Sequence, residues 1–153
     1  MNIQEQFNQA IENNDIKNVK LLLNHPKVNP AAKNNLAIRN SSIRGYTDII
    51  KLLLNDHRVN PADLNNLTIR SASLKGYTDI IKLLLNDNRV NPADRNNWSI
   101  THSHDRGKID IVNLLWQDKR VKNNLQKDNE ELYNELIEKE KIKDKIKEKV
   151  ESF

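Results

Sequence analysis

Short clusters of apolar residues recur along the chain at helical spacing. In one representative stretch, Leu67, Ile69 and Ala72 form a small apolar face, as expected of one side of a helix. Gly76 follows, at the place where a residue in the left-handed conformation would end that helix. The pattern predicts a first helix over about residues 66–75.

The next cluster is denser and predicts a different kind of helix. Residues 80–85 are apolar at five of six positions, and Thr78 or Asp79 offers an oxygen that could cap a helix start. We therefore expect a second helix over about residues 79–86. Because this helix has almost no polar face, it must be covered on more than one side, and a single helix pair cannot do that.

The helix pair is repeated along the chain. Residues 34–64 and 65–95 are identical at 24 of 31 positions. A degenerate copy follows at 96–126, and a divergent copy over about residues 3–33 has the polar outer helix expected of an N-terminal cap. The 31-residue interval is marked by all three glycines and three of the four prolines: Gly45, Gly76, Gly107, Pro30, Pro61 and Pro92. A fixed short period of this kind indicates a solenoid.

The repeat resembles the ankyrin repeat. Gly76, the run from Asp79 to Leu85, and Val90-Asn91 are similar to the glycine, second-helix and Asp-Val-Asn parts of that family's consensus, and Ala72-Ser73 stands where the family has two alanines. The short Val-Asn-Pro hairpin is similar to that of ankyrin proteins of giant amoeba-infecting DNA viruses. The resemblance implies an all-α solenoid of about four helix-turn-helix repeats that binds another protein.

Two departures from the family pattern concern the hairpin that joins the repeats. Asparagine replaces the turn glycine, which is compatible with a turn because asparagine tolerates a positive φ. Arg58 and Arg89 replace the acidic residue that usually precedes the valine. We expect the asparagines to take the left-handed conformation, and the sequence assigns no role to these two arginines.

The C-terminal segment has a different composition, and we divide the chain into repeats over 1–126 and a charged helix over 127–153. Of the 27 residues from Lys127 onward, 16 are charged. Its apolar residues fall within about a third of a helical wheel, which predicts a long amphipathic helix: Leu132, Leu136, Ile142, Ile146, Val150 and Phe153. Asp128 is the expected N-cap or first-turn residue. Glu135 with Lys139, Glu138 with Lys141, and Asp144 with Lys147 are the expected ion pairs.

Three interpretations of this helix remain open at the level of sequence. Its first turns could cover the end of the last repeat while the rest frays in solvent. Its apolar stripe could pair with another chain as a short coiled coil and so make an oligomerisation scaffold. It could also be a docking helix for a host protein.

Composition and motifs argue against catalysis. Only 37% of the 153 residues are hydrophobic and 30% are charged, which suits an elongated fold with a thin core. There is no cysteine, and the glycines all belong to repeat turns, so no phosphate-binding loop is present. His102 and His104 are two residues apart on a helix and point in different directions, which excludes a shared metal ion. We expect neither an enzyme nor a metal or cofactor site.

Partner recognition is the expected function. By analogy with ankyrin contact positions, the hairpin tips and the concave face would carry it, and we select eleven candidate residues: Lys33, Arg39, Ile43, Arg44, Leu64, Arg70, Leu74, Lys75, Arg95, Asp105 and Arg106. The basic members would attract an acidic segment of a protein partner. The net charge of +4 also leaves weak nucleic-acid binding as an alternative. We expect a monomer that binds neither a small-molecule substrate nor a membrane.

The expected location follows from an absence of targeting signals. No stretch of the sequence has the apolar length of a secretory signal or a transmembrane helix. We therefore expect a cytoplasmic protein, in the host cell if the protein is viral.

Overall fold

The computed structural model describes residues 1–152. Within that range the chain forms ten helices and no strand. The helices are α1 (Ile3–Glu12), α2 (Ile16–Leu23), α3 (Ala32–Arg44), α4 (Thr47–Leu54), α5 (Asp63–Lys75), α6 (Thr78–Leu85), α7 (Asp94–Asp105), α8 (Ile109–Trp116), α9 (Lys119–Asp128) and α10 (Glu130–Glu151).

The first eight helices form four antiparallel pairs that stack in chain order. The first helices α1, α3, α5 and α7 pack one against the next, and the second helices α2, α4, α6 and α8 form a parallel layer behind them. Each pair contacts only its neighbours, as in other solenoids. The prediction of an all-α solenoid of about four helix-turn-helix repeats followed by an amphipathic C-terminal helix is confirmed.

The helix boundaries match the predicted ones with small differences. The second helix of the third repeat, α6, begins and ends one residue earlier than the predicted 79–86. Gly76 has a φ of 86° and ends α5 in the left-handed conformation, as predicted. The capping prediction was wrong, because Tyr77 is the N-cap residue of α6 and no side chain makes a cap hydrogen bond there.

The core lies between the two layers of helices. Ile50 and Leu53 in α4, and Ile81 and Leu84 in α6, are fully buried. They are covered by their own repeat and by its neighbours, which explains why these helices carry so few polar residues. Stacking, rather than any single repeat, therefore holds the second helices in place.

The hairpins contain an unexpected run of left-handed residues. At the start of α3, α5 and α7, three consecutive residues have φ between 51° and 58°: Lys33–Asn35, Leu64–Asn66 and Arg95–Asn97. The prediction for asparagine is confirmed, but the first residue of each run is lysine, leucine or arginine. Each such residue costs roughly 1–2 kcal/mol in this conformation, so bonds from elsewhere must hold the runs.

Those bonds come from the third residue of each run. The Asn66 amide donates to Asp94 Oδ2 at 2.8 Å, and its Oδ1 accepts the backbone N–H of Asn91 at 2.7 Å. Asn35 makes the same two bonds to the following repeat. We call these two residues, together with Asn97, the hairpin asparagines. The side chains of Asn35 and Asn66 connect each hairpin to the next, whereas the Asn97 side chain is bonded to Asp128 after the fourth repeat.

Arginine side chains connect the repeats a second time, on the side of the second helices. Arg89 donates to the carbonyl oxygens of Leu54 and Val59, both at 2.8 Å, and is also bonded to Asp87. Arg58 and Arg120 make equivalent bonds one repeat earlier and one repeat later. We call Arg58, Arg89 and Arg120 the clamp arginines. One of the two carbonyls, that of Leu54 in the case of Arg89, is at the end of the preceding second helix and lacks a partner within that helix; the other is in the link that follows.

The chain beyond the fourth repeat forms two helices where one was predicted. Asp128 is the last residue of α9 rather than the cap of the long helix. Asn129 caps α10 instead, accepting the backbone N–H of Leu132. The position at which we divided the sequence, 126/127, falls inside α9.

These two helices cover the open end of the stack. Their buried apolar side chains are Val121, Leu125, Leu132 and Leu136. Lys122 and Trp116 hold the Glu140 carboxylate, the lysine at 2.8 Å and the indole N–H at 3.3 Å. We call α9 together with the first half of α10, residues 119–140, the C-terminal cover.

The second half of α10 is helical as far as Glu151. Ile142, Ile146 and Val150 are more than half exposed. The predicted pairs Glu135–Lys139 and Glu138–Lys141 form, whereas Lys147 pairs with Glu151 instead of Asp144. Phe153, which we placed in the apolar stripe, lies outside the described residues. None of the helices in residues 1–152 combines the length and the apolar character needed to cross a bilayer.

Candidate binding surface

The eleven candidate residues lie on the first helices and the hairpins, at matching positions of successive repeats. Arg39 and Arg70 are half-buried. The other nine are exposed: Lys33, Ile43, Arg44, Leu64, Leu74, Lys75, Arg95, Asp105 and Arg106. Three of these are apolar side chains with about two-fifths of their surface open to solvent, namely Ile43, Leu64 and Leu74.

Basic residues end three successive first helices. Arg44 and Lys75 are the last residues of α3 and α5, and Arg106 follows the last residue of α7. We call these three residues the outer basic row. Arg44 donates to the carbonyl oxygen of Glu12 in the first repeat at 3.1 Å. A positive charge at this position is favourable because the C-terminus of a helix carries partial negative charge.

A basic and aromatic cluster lies on the third and fourth repeats. The Arg70 guanidinium lies 5.0 Å from the centre of the Trp98 ring, which stacks on His102 at 4.1 Å. Burial lowers the pKa of Arg70, and the nearby positive charge of Arg95 lowers it further. Sequence reasoning missed Trp98 and His102 as members of this surface. The available signal was that Trp98 replaces the leucine found at this position in the two preceding repeats.

Apart from Arg44 and Arg106 of the outer basic row, the arginines fall into two groups. Each clamp arginine is bonded to an aspartate and to two backbone carbonyls. Arg39, Arg70 and Arg95, which we call the inner arginines, have no carboxylate partner within residues 1–152. The Nε atoms of Arg39 and Arg70 are buried without any acceptor in that range. These Nε atoms are not accessible to a ligand, so only the terminal nitrogens of the inner arginines could meet one. Arg70 already uses Nη1 to donate to the carbonyl oxygen of Asn65 at 3.3 Å, whereas a clamp arginine such as Arg89 uses its Nε and both terminal nitrogens.

The C-terminal cover touches one edge of this surface. His104 on α7 lies 3.1 Å from the Glu135 carboxylate on α10 and 3.9 Å from Asp105. The two neighbouring histidines thus have different surroundings, since His102 contacts Trp98 and His104 contacts the cover. Among residues 1–152 there is no cluster of three side chains suited to holding a metal ion.

Comparison with known proteins identifies the repeat. The model of the ankyrin repeat family matches residues 7–96 in three copies, which is more than half of the chain. The chain belongs to the ankyrin repeat family. No curated protein and no solved structure gives a significant match. Ankyrin repeats are in general modules for protein interaction and are typically not catalytic.

Proposed function

We propose that this ankyrin-repeat protein is a non-catalytic interaction module that binds an acidic segment of a partner protein. The hairpin tips and the exposed side of the first helices would carry the contact. The observation that supports this most directly is the difference between two sets of arginines: each clamp arginine forms an ion pair with an aspartate, whereas the inner arginines form none within residues 1–152. An acidic partner would supply the missing carboxylates.

The preformed shape of the surface favours this function. The second helices and the hairpin bonds fix the backbone positions from which the basic side chains project, which lowers the ordering cost of binding. The outer basic row would steer the partner by long-range attraction. In this proposal residues 1–126 are the recognition unit, residues 127–153 complete its end, and the protein acts as a monomer in the cytoplasm.

The short Val-Asn-Pro hairpin supports a more specific form of the proposal. Its similarity to ankyrin proteins of giant amoeba-infecting DNA viruses suggests a viral protein whose partner is a host factor. Host-cell lysate is accordingly the source in which to seek the partner.

Crosslinked capture from host-cell lysate tests the proposal. The intact chain is compared with a variant in which the outer basic row is reversed to glutamate, Arg44→Glu, Lys75→Glu and Arg106→Glu. The matched control reverses one exposed lysine on each of three second helices, Lys20→Glu, Lys51→Glu and Lys82→Glu. Both variants change the net charge by the same amount, and each must melt like the intact chain to be informative.

We expect one protein to be captured by the intact chain and by the control, and lost with the reversed row. Equal capture by all three would show that the basic row does not select the partner. Loss with both reversed variants would indicate that overall charge alone is responsible, which would contradict a specific surface.

The exposed stripe on α10 supports a second candidate, an oligomerisation scaffold. Ile142, Ile146 and Val150 could pair with the same stripe of another copy. Light scattering compares the full chain with a chain ending at Lys141, which keeps the C-terminal cover whole. A full chain that is dimeric and becomes monomeric on truncation would favour the scaffold over the monomeric binding module.

A further inference from the structure

The second half of α10 carries an apolar stripe that the rest of residues 1–152 leaves open. Ile142, Ile146 and Val150 lie four residues apart along the helix, and each is more than half exposed. We call these three residues the α10 stripe. Ile109, at the start of α8, is also more than half exposed and lines the same depression as Ile142. Together they form an apolar patch at the C-terminal end of the stack.

Lysines border the α10 stripe on both sides. Residues 142–145 and 146–149 repeat one pattern, which is isoleucine, lysine, acidic residue, lysine. Because successive residues of an α-helix are about 100° apart around its axis, the lysines before and after each isoleucine project to opposite sides of the stripe. The acidic residues, Asp144 and Glu148, lie on the far face. The lysines form two rows, Lys139, Lys143 and Lys147 on one side and Lys141, Lys145 and Lys149 on the other.

These lysine rows are available to a ligand. All six side chains are exposed. Three of them pair with a glutamate of the same helix: Lys139 with Glu135, Lys141 with Glu138, and Lys147 with Glu151. Exposed pairs of this kind contribute little to stability, so an external anion can replace them. Lys145 and Lys149 form no ion pair within residues 1–152.

The charge pattern selects among the possible occupants of the α10 stripe. A second copy of α10 would bring lysine rows against lysine rows, because the acidic residues face away from the stripe. The groove of another protein would enclose both rows and remove six charges from water. Duplex nucleic acid would place the apolar stripe against phosphates. A flat anionic membrane accepts the stripe beneath its headgroups while both lysine rows stay among the headgroup charges.

We propose that the second half of α10, residues 139–151, binds the surface of membranes that contain anionic phospholipids. The α10 stripe inserts just below the headgroups, and the lysine rows bind the lipid phosphates and carboxylates. The helix lies in the plane of the membrane and does not cross it. The expectation that the protein binds no membrane was based on the lack of a spanning segment, which a helix lying on the surface does not need.

Vesicle flotation with the full chain tests the proposal. Vesicles of phosphatidylcholine alone are compared with vesicles in which about a third of the lipid is phosphatidylserine, at about 0.1 M salt. We expect the chain to partition at least about tenfold more strongly onto the anionic vesicles, because each lysine near such a surface contributes about fivefold. Raising the salt to about 0.5 M should remove most of this preference.

One pair of variants locates the charge. Lys141→Gln, Lys145→Gln and Lys149→Gln together remove one lysine row and should weaken partitioning onto anionic vesicles by at least about tenfold. The matched control, Lys20→Gln, Lys51→Gln and Lys82→Gln, removes the same charge from the second helices and should change partitioning by less than about twofold.

A second pair of variants tests insertion of the stripe. Ile146→Gln replaces an exposed apolar side chain of α10 and should weaken partitioning by at least about fivefold, because that side chain leaves water on binding. Leu21→Gln replaces an equally accessible apolar side chain on α2 and should leave partitioning within about twofold. Thermal melting checks that all four variants stay folded.

Four results would overturn the proposal. Equal partitioning onto neutral and anionic vesicles would refute the role of charge, and equal weakening by the two lysine variants would refute the location. Partitioning that is unchanged by Ile146→Gln, with tighter binding to duplex DNA that depends on the lysine row, would assign the rows to nucleic acid. A dimer in light scattering that Ile146→Gln dissociates, without vesicle binding, would assign the stripe to a second copy.

This inference is independent of the proposed function, because it concerns α10 and not the first helices. The capture experiment reverses the outer basic row, which lies outside residues 139–151. Failure of vesicle binding would therefore leave the capture result unchanged, and failure of capture would leave the vesicle result unchanged.

Discussion

The connection between the interior repeats differs from the connection at the C-terminal end. Between the third and fourth repeats, Asn66 is bonded to both Asp94 and the Asn91 backbone. At the end of the stack, the Asn97 amide donates to Asp128 in α9, but its Oδ1 is buried without a partner in the described residues. The same residue type thus makes two bonds inside the stack and one at its end.

The cause lies in the chain that follows the fourth repeat. In earlier repeats the extended Val-Asn-Pro link presents a backbone N–H to the preceding hairpin asparagine. At the corresponding place α9 is helical, and the backbone N–H of Lys122 is bonded to the carbonyl of Asp118 within the helix. Arg120 nevertheless donates to the carbonyl oxygen of Val90, as the other clamp arginines do to their preceding repeats. The end is therefore closed by apolar packing, by the Arg120 clamp and by the contacts of His104 with Glu135 and of Trp116 with Glu140, without the full hairpin connection.

We expect the C-terminal cover to open before the interior repeats. A solenoid's stability is the sum of its repeats and their interfaces, and the cover packs on the stack from one side only. The N-terminal hairpin also has a single bond of this kind, because Gln4 accepts the backbone N–H of Asn29 while its amide donates within α1, to Asn8. Predictions that compare interior and end positions test this directly.

The largest expected effect is at the buried leucines. Leu84→Ala in α6 removes a side chain packed between repeats and should lower the free energy of unfolding by about 4 kcal/mol. Leu125→Ala in α9 removes an equally buried side chain but should cost only about 2 kcal/mol, because the cover can open without unfolding the rest. Urea denaturation followed by circular dichroism measures both.

Leu53→Ala in α4 is the matched control for the interior position and should behave like Leu84→Ala. An equal cost for Leu125→Ala and Leu84→Ala would show that the cover and the stack unfold as one unit, which would contradict an end that opens first. If both interior variants unfolded at the same urea concentration as the intact chain, the stacked core itself would be contradicted.

The parts of this fold that sequence could predict are those encoded within one repeat. Apolar positions such as Ile80 and Leu84 recur at helical spacing, and Gly76 marks a helix end by its own backbone freedom. The left-handed conformation of Leu64 has no such local signal, since it depends on bonds that Asn66 makes to the next repeat. The clamp by Arg89 likewise reaches residues 30 and 35 positions earlier.

The candidate surface was predictable in position but not in detail. Repeat phase placed Arg39 and Arg70 on it, because residues at equivalent positions share a face. Sequence could not show which arginines have partners, since that depends on aspartates and carbonyls brought close by stacking. One feature of the sequence could have predicted the separate helix α9. The proline found at positions 30, 61 and 92 is absent at 123, where Asn123 allows a helix to continue.

A smaller effect is expected at the hairpin asparagines. Asn66→Ala should lower the free energy of unfolding by about 2 kcal/mol, because it removes two part-buried hydrogen bonds that each contribute about 1 kcal/mol. Asn97→Ala should cost about 1 kcal/mol, because it removes one bond together with an oxygen that has no partner in the described residues. Urea midpoints of the two variants provide the comparison, and a larger loss for Asn97→Ala would refute the difference between the two connections.

The smallest expected effect on stability is that of the ion pair between Asp87 and the clamp arginine Arg89, and it depends on pH. The hydrogen bond from Arg89 holds the pKa of Asp87 below its ordinary value of 3.8. A pKa that is lower in the folded state means that the unfolded chain takes up the proton first as the pH falls. The stabilisation by this carboxylate is therefore fully present above about pH 4 and is lost as the pH drops through the folded value.

Asp87→Asn removes the charge while keeping the shape of the side chain, and it isolates this contribution. The variant should be less stable than the intact chain at pH 7, and the difference should narrow progressively below pH 4. Asp79→Asn is the matched control, because Asp79 is exposed and its only ion pair is a 3.6 Å contact with Lys82. The free energies of unfolding of Asp87→Asn and the intact chain could instead differ by the same amount from pH 7 to pH 3. That result would mean that the charge of Asp87 does not hold Arg89 against the preceding repeat.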